Sequence, residues 1–321
     1  MQLLRICSLL DGKDKFGKIM HRLVQAMPVE LVSPDGDPEA IFCRNDEPGL
    51  KAALDLAAKG DRLVYASECA DGAQICCRHQ LRNPAVRLLK MYCAYPAAVH
   101  TMATSCRRLH VRLLDPGSVK LSNSPSDEEY SRVRLGPSFL HMPHISALLQ
   151  DLTGPIPDWN ARDIDLMLVG TMDYGTAAIA AHRQKALEDV LQAGSRYRTL
   201  AKAGRPYGKC EWTSILRRTR IVVSPWGNGE PCYRDYEGIM AGCRVLKPTT
   251  PYRIDSTCGL FSKPYDAMTY VQPMDMLAGV DLDGLLHSGP DLAARQQLLE
   301  RQPATWMGKY LADMCAGDRY D

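Results

Sequence analysis

Short apolar runs alternate along this chain with longer stretches whose apolar residues recur at helical spacing. That alternation is the pattern of parallel strands covered by helices, and it predicts an α/β fold. Leu3 to Leu10 reads as a strand and Phe16 to Met27 as an amphipathic helix. Val29 to Val32 and Arg62 to Ala66 read as strands, with Gly49 to Lys59 helical between them. Pro84 to Met91 fits a strand or a helix, Leu109 to Leu114 a strand, and Asn123 to Glu129 a polar, turn-rich stretch.

The segment Gly154-Pro155-Ile156-Pro157-Asp158 is the best candidate linker, because two prolines so close together stop a helix and favour extended backbone. A second run of units follows: strand Ile164 to Val169, helix Ala177 to Ala193 closed by Gly194, strand Arg196 to Leu200 and helix Glu211 to Arg218. Strand Ile221 to Val223, a helix from Cys232 to Ala241 closed by Gly242, and strand Arg244 to Leu246 come next, then mostly helix from Leu282 to Met314. The expected architecture is two doubly wound halves, residues 1–153 and 159–321, with the terminal helices in the second.

Length and composition narrow the class. At ~150 residues per domain, 321 residues make about two. Apolar residues at 45% and charged residues at 24% are those of a soluble globular protein. The 39 Lys and Arg against 37 Asp and Glu leave +2, no whole-chain field for nucleic acid or anionic lipid, and 7% aromatics argue against a base-stacking platform. No uncharged run approaches the ~18 residues of a membrane span, and Arg5 and Asp11 break the apolar stretch a secretory signal would need. The 12 cysteines are scattered, with no C-x-x-C pair to signal zinc. Reduced, buried thiols are therefore expected, in a cytoplasmic protein either free or peripheral to a membrane.

The richest chemistry lies between Ser224 and Cys243, after the strand Ile221 to Val223 and into the next helix, at the sheet edge where open α/β folds bind ligands. Gly227 and Gly229 permit close backbone approach, and Pro231 suits a first helical turn. The free amides of that turn form an anion site. Arg234 adds a fixed cation, and Glu237, on the same helix face, can accept hydrogen bonds from hydroxyls. Phosphate donors beside a hydroxyl acceptor describe a nucleotide-sugar pocket; a glycine-rich turn leading into a helix with a surface Arg–Glu pair is the plain alternative.

The run Ser224 to Pro248 resembles the donor-binding segment of GT-B glycosyltransferases, closest to the group-1 and exostosin-like branch with its pattern S-P-x-G-x-G-E-x-x-x-R-D-x-E-A-x-x-x-G. Ser224, Pro225, Gly227, Gly229, Glu230, Arg234, Asp235, Glu237 and Gly242 stand at the matching places, and Gly238 replaces the usual Ala. The strand Ile164 to Val169 entering Gly170 and Thr171, and the helix carrying His182 to Leu187, are similar to the same domain, so the resemblance spans about residues 163–271. It implies a GT-B-like fold, two Rossmann-type domains facing across a cleft, and transfer of a sugar from a UDP- or GDP-linked donor to a hydroxyl acceptor, a saccharide or other. No metal and no further cofactor are implied. The implied donor contacts are Gly170, Thr171, Arg183, Ser224, Trp226, Gly227, Gly229, Glu230, Tyr233, Arg234 and Glu237, with Glu237 on the ribose or sugar and Arg234 or Arg183 on the phosphates.

Other motifs compete. Gly12 to Lys18 fits G-x-x-x-x-G-K of a P-loop, but Ile19 replaces the hydroxyl residue that would ligate Mg²⁺; a P-loop kinase or NTPase is one alternative, and a catalytically inert nucleotide-sugar-binding module another. In the favoured reading Asp11, ending the first strand, is the candidate catalytic base for an inverting transfer. The D-x-D run at Asp35 is correctly placed after a strand for a metal pair and equally fits an ordinary turn, while those at Asp163 and Asp281 read as a misplaced strand start and a helix start. His141 and His144 fit an acceptor pocket better than a metal site, His182 is expected at the surface, and Trp226 either stacks on a ligand or packs beneath its loop.

Overall fold

The computed structural model describes residues 3–10, 15–44, 46–68, 78–90, 126–135, 150–173, 177–227, 232–249, 268–272, 274–300 and 304–318. The described strands form two sheets, both parallel throughout. The first contains β1 (Arg5–Ser8), β2 (Glu30–Leu31), β3 (Ala40–Arg44), β4 (Leu63–Glu68), β5 (Val86–Lys90) and β6 (Val133–Leu135), in the order β2-β1-β3-β4-β5-β6. The second contains β7 (Ile164–Gly170), β8 (Thr199–Ala203), β9 (Thr219–Val223), β10 (Arg244–Pro248) and β11 (Met268–Val271), in the order β11-β10-β9-β7-β8. Each order reverses direction after its second strand, which is the doubly wound, Rossmann-type topology the periodicity predicts.

Parallel strands need crossovers that cover both faces, so the strands read as near-continuous apolar runs. All seven residues of β7 are buried. In the first sheet, Ile6, Phe42, Tyr65 and Leu89 face α1 (Lys15–Gln25), while Cys7, Ile41, Cys43, Val64, Ala66 and Leu88 face α2 (Glu47–Ala57). Asp46 caps α2 by accepting from Gly49 N–H at 2.9 Å. In the second sheet, Leu166, Leu168, Ile221 and Val223 pack on Ala186, Leu187 and Val190 of α4 (Ala177–Ala193), which follows the short α3 (Asp127–Ser131). The opposite face, with Met167, Val169, Val222 and Val245, receives α5 (Lys209–Arg218) and α6 (Tyr233–Met240). Packing at α6 is close: a β-carbon on Gly238 would lie 3.0 Å from Val245 Cγ2, so the glycine that replaces the pattern's Ala suits the approach of helix to strand. Gly242, at φ 73°, ends the helix in the left-handed conformation that favours glycine.

The remaining helices are α7 (Leu282–His287), α8 (Leu292–Glu300) and α9 (Ala304–Gly317). α8 is tied to α6 by Arg295, whose Nε donates to Met240 O at 2.8 Å while Nη2 reaches the carbonyls of Leu152, Thr153 and Gly154. The Pro-containing linker is therefore docked, with Arg217 bonded to Pro155 O at 2.9 Å. The terminal helices do not all stay with the second half. α9 crosses back to the first sheet, where Gly308 meets the backbone of Ala26 too closely for any β-carbon. Asp318, just beyond α9, accepts from Tyr65 Oη (2.8 Å) and Arg134 Nε (2.6 Å) on two different strands.

Several elements differ from the sequence reading. Ala40–Arg44 and Met268–Val271, to which it assigns nothing, are strands, and Pro84 to Met91 resolves as β5. β8 starts later than expected because the amides of Arg196 and Tyr197 both close on Ala193 O, completing the end of α4. The expected strand at Leu109 to Leu114, and His141 and His144, lie outside the described residues. No described helix is long and apolar enough to cross a membrane. The six described cysteines form no disulfide with one another; Cys43, Cys243 and Cys315 are buried, which pushes each thiol up to about 12, whereas Cys210 is exposed rather than buried as expected.

Candidate active site

In the second sheet the chain leaves β7 towards β8 and leaves β9 towards β10, in opposite directions. The carboxyl ends of β7 and β9 meet at that reversal, and the crevice expected outside such a switch point is the place where doubly wound sheets take their ligands. Gly170 and Thr171 form one lip and Ser224 to Gly227 the other.

Helix α4 pins the two lips together. Arg183, buried at 6% exposure, donates from Nε to Trp226 O and from Nη1 to Thr171 O, both at 2.7 Å. His182 is fully buried rather than at the surface, because its Nε2 accepts from Trp226 N–H at 3.1 Å and its ring lies 4.8 Å from the Trp226 ring. Trp226 is itself fully buried, packed beneath the loop. Ser224 also points inward: its hydroxyl donates to Asp235, which accepts from Cys232 N–H at 2.9 Å and pairs with Lys247 at 3.0 Å. That buried cluster fixes the start of α6 against β9 and β10. Ser224, Trp226 and Arg183 thus brace the loop after β9 against α4 and the start of α6.

The groups at the mouth come from α6. Arg234 Nη2 donates to Val169 O at 2.6 Å, and the guanidinium lies over Gly170 so closely that a β-carbon there would overlap it. Arg234 Nε is buried and has no hydrogen-bond partner among the described residues, a costly state for a cationic donor. One turn on, Glu237 Oε2 accepts from Trp212 Nε1–H of α5 at 3.0 Å. Burial pushes the Glu237 carboxyl above the usual range; Arg234, Trp212 and Arg205 pull the other way and do not cancel it. Tyr233, in the first turn of α6, is 42% exposed, and Gly227 is buried in its lip.

Contacts join Arg234 to Val169 and Gly170, and Arg183 to Thr171 and Trp226, while Gly227, Tyr233 and Glu237 are their neighbours along the chain. Asp11, Gly229 and Glu230 lie outside the described residues, as does the loop Gly12 to Asp14; Lys18 is exposed on α1. Trp212 was not foreseen, and no local pattern marks it, since it stands 25 residues from the carboxylate it meets. Among the described residues no group of three or more His, Cys, Asp or Glu is placed to hold a metal ion. Asp163 pairs with Arg218 and Asp165 with Arg198 and Arg220 at the amino end of β7, Asp281 caps α7, and Asp37 pairs with Arg62 in a turn.

No protein-family model matches the chain, and no curated protein does. Two solved structures superpose on it at low similarity. A Listeria monocytogenes protein described as a UDP-N-acetylglucosamine 2-epimerase shares 11% identity at a TM-score of 0.39, with 99% of this chain and 96% of that one covered. The UDP-GlcNAc 2-epimerase of Methanocaldococcus jannaschii shares 8% identity at a TM-score of 0.34, covering 99% and 100%. Scores this low carry no argument, and the reading of the site rests on strand order and on the side chains at the crevice.

Proposed function

We propose that the β7–β9 crevice holds the diphosphate and sugar of a UDP- or GDP-linked donor, and that the chain is a glycosyltransferase of the GT-B type, similar to the group-1 and exostosin-like branch, passing that sugar to a hydroxyl acceptor. The observation that carries the reading is that α6 sets the Arg234 guanidinium against Val169 and Gly170 at the switch point, with the Glu237 carboxylate one turn on, held by one oxygen. Arg234 and the first-turn amides of α6 supply fixed positive charge where a departing diphosphate gathers negative charge. Glu237 accepts hydroxyls of the donor. Arg183, spending two donors on the lips, keeps the crevice in one shape rather than meeting the phosphates. In an inverting transfer Asp11 is the assigned base on the acceptor side.

Thermal unfolding with UDP, GDP and ATP, each with and without EDTA, tests this. A rise with UDP or GDP that survives EDTA and disappears in Arg234→Ala supports it. A rise with ATP alone that requires Mg²⁺ favours nucleotide hydrolysis or phosphoryl transfer at Gly12 to Lys18. Binding without turnover of UDP-glucose or GDP-mannose, with or without simple saccharides, favours an inert module.

A further inference from the structure

Trp212 sits in the first turn of α5, where its backbone N–H closes on Gly208 O at 2.8 Å, and its ring packs partly buried against the cluster holding Ile215, Leu216 and Tyr236. From there the indole Nε1–H crosses to α6 and donates to Glu237 Oε2 at 3.0 Å. Oε1 accepts no hydrogen bond from the described residues. An indole N–H is a donor only and does not titrate near neutral pH, so it presents a hydrogen to the carboxylate under all ordinary conditions. A glutamate tethered at one oxygen has already lost most of its rotamer freedom, and that ordering cost does not recur when a ligand arrives.

Resting on the reading of this crevice as a nucleotide-sugar site, we propose that Trp212 is the positioning residue for Glu237: its indole N–H fixes Oε2 so that Oε1 meets a ligand hydroxyl. Two consequences follow from one bond. The carboxylate is aimed, and its charged form is favoured, because a hydrogen bond donated to a carboxylate stabilises the anion against the acid. Burial acts in the opposite sense at Glu237. Without the indole donor the carboxyl takes up its proton at a higher pH, and hydroxyl binding fails earlier as the solution is acidified.

The test is calorimetric titration of wild type and Trp212→Phe with UDP, GDP, UDP-glucose and GDP-mannose, using inorganic pyrophosphate as the reference without sugar hydroxyls, from weakly acidic to neutral pH. Phenylalanine keeps an aromatic ring in the packing and removes the donor, and a melting curve beside the titrations reads out the volume that is lost with the indole. The expected result is a loss of about tenfold for the ligand whose hydroxyl Glu237 holds, unchanged pyrophosphate binding, and an acidic limb displaced to higher pH. In a Glu237→Gln background Trp212→Phe should add little, since the carboxylate it serves is gone. Equal losses on pyrophosphate and on the sugar nucleotides, or an unmoved pH profile, would show that Trp212 merely packs and would overturn this inference while leaving the nucleotide-sugar reading intact. Wild-type protein that binds none of the diphosphates overturns both.

Discussion

Gly170 and Arg234 occupy one point of the crevice: the guanidinium lies where a β-carbon on residue 170 would be. The last position of β7 and the second turn-forming helix residue of α6 are thus mutually fitted, with Val169 O as the anchor.

Gly170→Ala should therefore displace Arg234 without breaking the sheet, since residue 170 lies within a strand at no left-handed angle. The expected outcome is a loss of diphosphate affinity of about tenfold or more, close to that of removing a charge-assisted hydrogen bond. Calorimetric titration measures it, alongside a melting curve that shifts little.

Glu237→Gln should separate stability from binding. Burial holds the folded-state pKa of Glu237 above the unfolded value, so the folded protein binds protons more readily and the ionised carboxylate opposes folding. That penalty is fully present above the folded pKa and vanishes as pH falls below the ordinary glutamate value of about 4.3. The Gln variant should be as stable as wild type or more so at neutral pH, with the difference fading on acidification, while sugar-nucleotide binding is lost. Melting temperatures of both proteins across pH, with titrations at neutral pH, check the two halves.

Lys247→Met should be strongly destabilising. Lys247 and Asp235 are 3% and 0% exposed and pair at 3.0 Å, and removing one partner leaves a carboxylate buried without its counter-charge. The expected cost is about 3–5 kcal/mol, read from chemical denaturation. Because the cluster also holds Ser224 and Cys232, ligand affinity should fall in parallel with loosening of the loop.

Asp318→Asn should weaken the return of α9 to the first sheet. Arg134 bonds to this carboxylate, and Arg87 Nε lies 3.8 Å from it, so both guanidinium groups lose their counter-charge while Tyr65 keeps an acceptor. A cost of about 2–3 kcal/mol is expected, with earlier proteolytic cleavage near the end of α9 as the local readout.

The centre of the second sheet was legible because its inner strands are buried on both faces. Ile164 to Val169 could hardly be anything but a central parallel strand, and Gly194 and Gly242 punctuate their helices through turn geometry written in single residues. Elements with weaker local signals were not. Met268–Val271 is an edge strand with Tyr270 exposed, and Ala40–Arg44 hides behind a turn of proline, glycine and aspartate. At the site, Arg234 and Glu237 were readable from helical spacing alone. What the spacing cannot reveal is where donors are spent: Arg183 bonds two backbone carbonyls, Thr171 O and Trp226 O, and His182 is buried by an amide that only the folded loop delivers. Trp212 reaches Glu237 between two helices, a relation fixed by packing and by no motif. The return of α9 to the first sheet is likewise tertiary, carried by Gly308 against Ala26 and by the carboxylate of Asp318.

The most direct test is a crystal structure of the protein grown with UDP or GDP. The account predicts the diphosphate between Gly170 and Gly227, bonded to Arg234 and the first turn of α6, with a ribose or sugar hydroxyl on Glu237. Nucleotide seated at Lys18, or bound away from the junction of β7 and β9, would contradict it.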